Sequence, residues 1–271
     1  MPITTELREA AARLAQAGLP TPRADAELLA AFVLGVPRSR LLSIDDLTPS
    51  QRSRWLELIS KRARRVPLQH LTGTAPFLDL DLKIGPGVFV PRPETELLAR
   101  WGIGVLADSD RPVVVDLCSG SGALALAVAS ERPKARVYAV ERSEEALKWL
   151  WLNVSGTPVE VVAGDIRDVE LPSGVDLVLS NPPYVPAGTQ VAPEVLADPP
   201  EAVFAGEDGL DLIPAVIDRA AQILRPGGRL GFEHDDSHVD LAHLLERWFE
   251  SIESHSDLAE RPRFTTAIRK A

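Results

Sequence analysis

The sequence predicts an α/β fold: a parallel sheet covered by helices on both faces, preceded by a small helical domain and joined to it by a β-hairpin. Three observations carry that expectation. Beyond residue 111, short apolar runs alternate with helical stretches, the pattern of strands buried on both faces. The first of those runs ends in a glycine-containing turn that opens a helix, DLCSGSGALALA (116–127). The first 75 residues, by contrast, read as helices separated by caps and stops.

In chain order, Leu7, Ala10, Leu14 and Ala17 fall on one face of a helix over 6–18, with Gly18 as its stop. Thr21-Pro22 reads as an N-cap with proline at the first helical position, opening a helix that runs to Leu34 before Gly35. Thr48-Pro49-Ser50-Gln51 has capping-box spacing and starts a helix through Trp55, Leu56, Ile59 and Ala63. The basic stretch Lys61, Arg62, Arg64 and Arg65 is expected to be a solvated helix end rather than a patch for an acidic partner. FLDLDLKIGPGVFVPRP (77–93) then alternates at Phe77, Leu80, Leu82 and Ile84. It breaks at Gly85-Pro86-Gly87 and resumes at Val88, Phe89 and Val90, which reads as a hairpin.

Strands are expected at 113–117, 136–141, 159–163, 175–180, 229–233 and 263–268, with helices at 122–131, 143–152, 210–224 and 237–249. The domain boundaries that follow are 1–75 for the helical part, 76–93 for a hairpin linker and 94–271 for the α/β part.

Composition narrows the setting. No apolar run approaches the roughly 20 residues that span a bilayer, and MPITTELREA has neither a basic n-region nor an apolar h-region, so a cytoplasmic protein is expected. A lone cysteine, Cys118, excludes an internal disulfide and a multi-cysteine metal site. The net charge of −10 is unevenly spread: residues 1–75 carry 11 basic against 7 acidic groups, the remainder 18 against 32. So acidic a body repels a phosphate backbone, which argues against a nucleic-acid substrate.

In the turn after the first strand, Gly120 and Gly122 let a ligand approach the backbone, and the following helix presents free N–H groups. Gly120 to Ala125 also satisfies G-x-G-x-x-A, with Glu141 about 20 residues on, where an acid grips ribose hydroxyls. NAD and S-adenosylmethionine both fit that pattern. Asp116, just before the loop, favours a ligand carrying an ammonium or sulfonium. After the third strand, Asp165 and Ile166 offer an acid and an apolar face to a purine; helix capping is the alternative for Asp116 and Asp165. Cys118 reads as a small buried filler.

The second motif, SNPPYVP (180–186), leaves the fourth strand at the same carboxyl edge. Two prolines withhold two donors, so the carboxamide oxygen of Asn181 and the carbonyl of Pro182 can accept both hydrogens of a planar NH₂ group. Pro183 stiffens the turn, and Tyr184 is expected to pack on the π face of the bound group. Such a cradle turns the nitrogen toward an electrophilic methyl, so alignment supplies much of the rate. His234 and His238 in EHDDSH (233–238) raise a metal question, but Asp235, Asp236 and Ser237 read better as caps of the next helix, and no metal is expected.

With both motifs in hand, the chain resembles the class I S-adenosylmethionine-dependent methyltransferases with their Rossmann-like sheet, and within them the peptide chain release factor glutamine methyltransferases. PLQHLTGTAPF (67–77), VPRPETELL (90–98), DLCSGSGALALA, SNPPYVP, GEDGLDLIPAVI (206–217) and DLAERPRF (257–264) look like that family's signatures in order. The resemblance implies methylation of N5 of the glutamine in the Gly-Gly-Gln (GGQ) loop of class I release factors, with a helical substrate-recognition domain in front. It implies that Cys118, Ser119, Gly120, Ser121 and Gly122 line the methionine end of the cofactor, Glu141 the ribose, Asp165 and Ile166 the adenine, and Asn181 to Tyr184 the substrate amide. Cys118 and Glu260 stand where the family usually has glycine, and EHDDSH replaces a glycine-containing turn. Adenine-N6 methylation of nucleic acid, glutamine methylation of a ribosomal protein, and an NAD-dependent or nucleotide-sensing function are the competing readings.

Overall fold

The computed structural model describes residues 3–238 and 240–271. It divides into two compact units, one running up to Thr74 and including Ala192–Ala197, the other made of Ala75–Val191 and Asp198–Ala271.

In the first unit, α1 (Ile3–Gln16), α2 (Pro22–Leu34), α3 (Pro49–Ala63) and the short α4 (Leu68–Thr72) close over Leu7, Leu14, Leu29, Trp55 and Ile59. Trp55 is fully buried, and its indole N–H finds the carbonyl of Ala26 at 3.1 Å. The capping box at Thr48 forms as the sequence predicts, with Gln51 answering the cap. Thr21 precedes α2 but caps no backbone group: its hydroxyl donates to Asp25 Oδ1 at 2.8 Å instead.

The expected solvated basic end is solvated only in part: Arg64 is exposed and Lys61 partly so, whereas Arg62 is buried. The Arg62 side chain is only 6% exposed; its Nε donates to Asp25 Oδ2 at 2.7 Å and its Nη1 to Glu194 Oε1 at 2.8 Å. Arg65 Nη2 donates to the other oxygen of Glu194 at 2.7 Å. The partner was hidden by sequence distance, because Glu194 arrives on the 192–197 segment that rejoins the helical unit.

The second unit begins with a two-stranded sheet of β1 (Thr74–Phe77) and β2 (Leu80–Lys83). The hairpin is shorter and earlier than the sequence suggests: it turns at Leu78, whose φ is +51°, and Val88 to Val90 form no strand. After α5 (Thr95–Val105) come β3 (Val113–Leu117), α6 (Ala123–Glu131), β4 (Arg136–Glu141), α7 (Glu144–Val154), β5 (Glu160–Ala163), β6 (Val175–Ser180), α8 (Ile213–Ile223), β7 (Leu224–Glu233), α9 (Ala242–Leu245), β8 (Phe249–Ser256) and β9 (Pro262–Arg269). They build one seven-stranded sheet in the order β5-β4-β3-β6-β7-β9-β8.

Alternation along each strand feeds two cores. Val114, Val137, Ala139, Leu177 and Leu179 pack with residues of α5, α6 and α7, while Val115, Leu117, Val140, Val178 and Phe232 pack with α8 and α9. The first five strands pair in parallel as expected, but β9 runs antiparallel to β7, and β8 antiparallel to β9. β8 begins at the end of the stretch expected to be helical over 237–249, of whose described residues only α9 is α-helix. FESIESHS has only Phe249 and Ile252 to turn inward, so an edge strand with a wet outer face leaves little apolar alternation to read.

Removing one member of a buried ion pair strands the other, at a typical cost of about 3–5 kcal/mol. Arg62→Ala should therefore speed hydrogen exchange of the core amides of α2 and α3 by about a hundredfold or more, whereas Lys61→Ala, at an exposed i,i+4 pair with Glu57, should leave it nearly unchanged.

Candidate active site

β3 and β6 lie side by side in parallel, with Leu117 next to Ser180, and the Ser180 hydroxyl donates to the Leu117 carbonyl at 2.7 Å. Chain order runs outward in opposite directions from this pair, through β4 and β5 on one side and β7 on the other. A crevice opens at such a reversal, outside the carboxyl ends of the strands. Here the loops beginning at Cys118 and Asn181 leave the sheet as neighbours. Between them is a cavity of about 970 Å³, including its open mouth, lined by Asp116, Cys118, Ser119, Gly120, Ser121, Glu141, Asp165, Ile166, Asn181 and Pro183.

Gly122 caps α6 at φ +88° but does not line the cavity; a Cβ there would sit 2.7 Å from Leu150 Cδ1, so the glycine serves helix packing. Cys118 holds a left-handed φ of +63°, and Glu260 one of +62°. Both departures from the usual glycine thus fall where glycine would be unstrained. Burial pushes the Cys118 thiol up, reinforced by the Glu141 and Asp116 carboxylates, which disfavours its thiolate form.

Asp116 is 1% exposed. Its Oδ2 accepts the Ala125 N–H at 3.1 Å, while its Oδ1 is buried without a partner. Burial raises its carboxyl to about 7, against the opposing hydrogen bonds of Ala125 and Ser119. Capping and ligand binding are therefore compatible, one for each oxygen. Glu141 does more than its position promised: Oε2 accepts from Gly120 N at 2.8 Å, and Oε1 accepts from both Arg142 N and Ser143 N at 2.8 Å. It closes the glycine loop onto the end of β4 and leaves open one lone-pair direction, on Oε2. Asp165 accepts from Arg167 N at 3.0 Å, and that bond, with the Arg167 and Arg142 guanidinium groups, keeps its carboxyl below the usual range. Ile166 is 5% exposed.

On the other wall, Asn181 lines the cavity and its Nδ2 donates to Thr95 Oγ1 at 3.1 Å. Pro183 lines the cavity; Pro182 is buried and does not, and neither does Tyr184. The ring of Tyr184 packs beside α8, and its hydroxyl donates to Glu233 Oε2 at 3.3 Å. A buried carboxylate draws the phenol inward. Glu233 is 1% exposed, and burial lifts its carboxyl to about 7, opposed by Thr95, Arg263 and Tyr184.

Thr95 and Phe89 also line the cavity, and sequence reasoning gave neither a role. For Thr95, the VPRPETELL segment (90–98) quoted for its resemblance contained the signal. There the Val90 N–H donates to Asp198 Oδ1 at 3.1 Å, Arg92 pairs with the same carboxylate, and Glu96 accepts the Leu78 N–H at 3.1 Å. In EHDDSH, His234 Nε2 meets Thr265 Oγ1 at 3.0 Å and His238 Nε2 meets the Asp208 carbonyl at 2.7 Å. Asp235 caps the Ser237 N–H in a turn, and α9 starts further on, after Asp240 accepts from the Ala242 N–H.

A doubly wound sheet with its cavity at the reversal point, and an Asn-Pro-Pro-Tyr loop beside the glycine turn, is the architecture of the class I methyltransferases. Solved structures agree on the fold: a methyltransferase from Pyrococcus furiosus (17% identity, TM-score 0.52, covering 83% of this chain and all of that one) and the 16S rRNA N2 G1207 methyltransferase of T. thermophilus in complex with AdoMet and guanosine (22%, TM-score 0.53, 73% and 50%). Residues 6–73 match the PrmC N-terminal domain and residues 95–203 the methyltransferase small domain. The chain is 48% identical to the release factor glutamine methyltransferase of Mycolicibacterium smegmatis, over 99% of this chain and 98% of that protein, and 47% identical to that of Streptomyces coelicolor over the same shares. It belongs to the release factor glutamine methyltransferase family.

The native state retains a proton on Asp116 that the unfolded chain gives up near pH 4, so this group's contribution to stability falls as pH rises from about 4 to about 7. Asp116→Asn should raise the melting temperature of the ligand-free protein at pH 8, by a stability gain of up to about 4 kcal/mol, and the gain should vanish at pH 4.

Proposed function

We propose that this protein transfers a methyl group from S-adenosylmethionine to the side-chain amide nitrogen N5 of the glutamine in the Gly-Gly-Gln loop of class I release factors. The observation that carries the reading is the Leu117–Ser180 register, which gives the glycine turn and the amide-binding loop a single cavity.

The residues present fit the cofactor. The partnerless Asp116 Oδ1 suits its cationic end, the open direction on Glu141 Oε2 suits one ribose hydroxyl, and Asp165 with Ile166 suits the adenine amine and face. Ser119, Gly120 and Ser121 supply the backbone of the cradle, and Cys118 its floor. When bound, S-adenosylmethionine supplies an electrophilic methyl and leaves as S-adenosylhomocysteine.

For the acceptor, Asn181 Oδ1 and the Pro182 carbonyl receive the two amide hydrogens, while Pro183 stiffens the loop and Tyr184 holds it from behind. With the methyl donor bound, these acceptors would hold the amide nitrogen toward its methyl, and the proton lost from that nitrogen would pass to water. Orientation rather than a strong base supplies the rate. The helical unit contributes contacts away from the reacting atom, which fix the approach of a protein loop.

Mass spectrometry of a class I release factor after incubation with enzyme and S-adenosylmethionine should find one methyl on the Gly-Gly-Gln glutamine, and none on a Gln→Ala substrate, DNA or RNA. Methyl on that variant, or on nucleic acid alone, would overturn the reading. Asn181→Ala should lower kcat about a hundredfold or more while S-adenosylhomocysteine affinity stays within about threefold. Because a cation beside Asp116 favours its carboxylate, cofactor binding should release a proton near pH 7, and affinity should weaken below that pH in the wild type but not in Asp116→Asn. Calorimetry in buffers of different ionisation enthalpy measures both.

A further inference from the structure

One side chain on α7 reaches both the glycine turn and the chain leading to a second stretch of the cavity wall. Asn153 Oδ1 accepts the Lys83 N–H at 2.7 Å, and its Nδ2 donates to two carbonyls, that of Lys83 at 3.1 Å and that of Ser121 at 2.9 Å. Both amide hydrogens are thus used, and the carboxamide can stand only one way round. Ser121 is 3% exposed and lines the cavity, whereas Asn153 does not line it.

The Ser121 carbonyl sits at a weak point of the turn. Gly120 and Gly122 hold φ of +55° and +88°, and glycine accepts either sign of φ at little cost. The peptide plane between Ser121 and Gly122 therefore has no steric reason to stay in place. Two hydrogen bonds hold it: the Gly122 N–H donates to the Ser119 carbonyl at 2.8 Å, and the Ser121 carbonyl receives Asn153. Loss of the second frees the plane to turn and leaves the oxygen of a buried residue without its donor.

The same helix guides the chain from Lys83 into the cavity. Glu145, Trp149 and Asn153 follow one another at intervals of four, a single stripe of α7. The Trp149 indole donates to the Pro86 carbonyl at 3.1 Å. A Cβ at Gly85 would lie 2.3 Å from the Trp149 ring, and one at Gly87 2.9 Å from Glu145 Cβ, so the segment lies directly on that stripe. Gly87, Val88 and Phe89 then line the cavity.

We propose that Asn153 is a positioning residue for the cofactor. Acting through the Ser121 carbonyl, it holds the glycine turn in its receiving shape before the ligand arrives, and it ties that turn to the 83–89 segment so that the two stretches of wall order together. The inference rests on the cofactor proposed above. A preformed turn spares the bound state the loss of loop freedom, so the gain falls on cofactor affinity. The acceptor amide is held by another loop, at Asn181, so turnover at saturating cofactor is not the quantity that moves.

The test compares Asn153→Leu and Asn153→Asp with the wild type. Leucine keeps the shape and removes every bond; aspartate keeps the acceptor for the Lys83 N–H and removes only the donors. S-adenosylhomocysteine affinity is measured by calorimetry well below each melting temperature, where a change that merely loosens the fold leaves the dissociation constant of the folded protein unmoved. Both variants should bind about tenfold or more weakly. With a class I release factor as substrate, KM for S-adenosylmethionine should rise in step while kcat stays within about threefold. In the wild type, saturating S-adenosylhomocysteine should also slow exchange of the Lys83 amide about tenfold, although Lys83 does not line the cavity, and in Asn153→Leu it should not. Wild-type affinity in both variants, affinity kept by Asn153→Asp alone, or a wild-type Lys83 amide indifferent to the ligand would each overturn the inference and leave the cofactor standing. A wild-type protein that does not bind S-adenosylhomocysteine would remove the cofactor reading itself.

Discussion

The parallel pairing of β3 with β6 is the constraint from which the site follows. Two strands far apart in sequence meet in a register that puts Leu117 beside Ser180, and a side-chain bond from Ser180 to the Leu117 carbonyl ties the last residues of the pair. Because a strand alternates its side chains, a slip of one residue would turn Val115 and Leu117 out of one core and Val114 out of the other. The hydrophobic cores thus enforce the register, and the register sets the separation of the two loops. Chemistry at the edge inherits its precision from packing in the middle.

Around that edge the protein keeps three acids with different duties. Glu141 is nearly saturated by backbone N–H groups and acts as a clasp on the glycine turn. Asp116 has one oxygen bonded to the Ala125 N–H and the other left without a partner, an arrangement that costs stability in the empty protein. Glu233, at the end of β7, takes the Tyr184 phenol on one oxygen and keeps the other buried without a partner. Burial alone would raise all such groups; their partners decide which becomes a clasp, a ligand group or a brace.

Much of this was legible in the sequence, for identifiable reasons. Strands β3, β4 and β6 are apolar runs buried on both faces, and the turns that follow them carry glycine or proline, so both the sheet and the cofactor loop announce themselves. β8 was unreadable because an edge strand exposes one face and shows only two apolar residues. Arg62 looked like any basic helix end, because its acids, Asp25 and Glu194, lie 37 and 132 residues away. The inward contact of Tyr184 went unread for a similar reason. The carboxylate that draws it inward belongs to β7, and no local pattern links Tyr184 to Glu233. What escapes a single sequence is the long-range polar contact, since it leaves no periodic trace.

The acceptor loop shows why such contacts accumulate here. Its first residue follows directly on a strand pinned by Ser180. Its tyrosine is held by Glu233. The next residue, Val185, exchanges backbone hydrogen bonds with Val203 and Ala205 at 2.9 and 3.0 Å. An amide nitrogen is a poor nucleophile, so holding it in line with the methyl carbon is the part of the barrier that geometry can lower. Geometry is effective only if the groups that impose it do not relax when the substrate arrives, because relaxation would return the gain as disorder. A loop braced at its strand, at its tyrosine and at Val185 meets that demand, and the buried polar contacts behind it are part of what its rigidity requires.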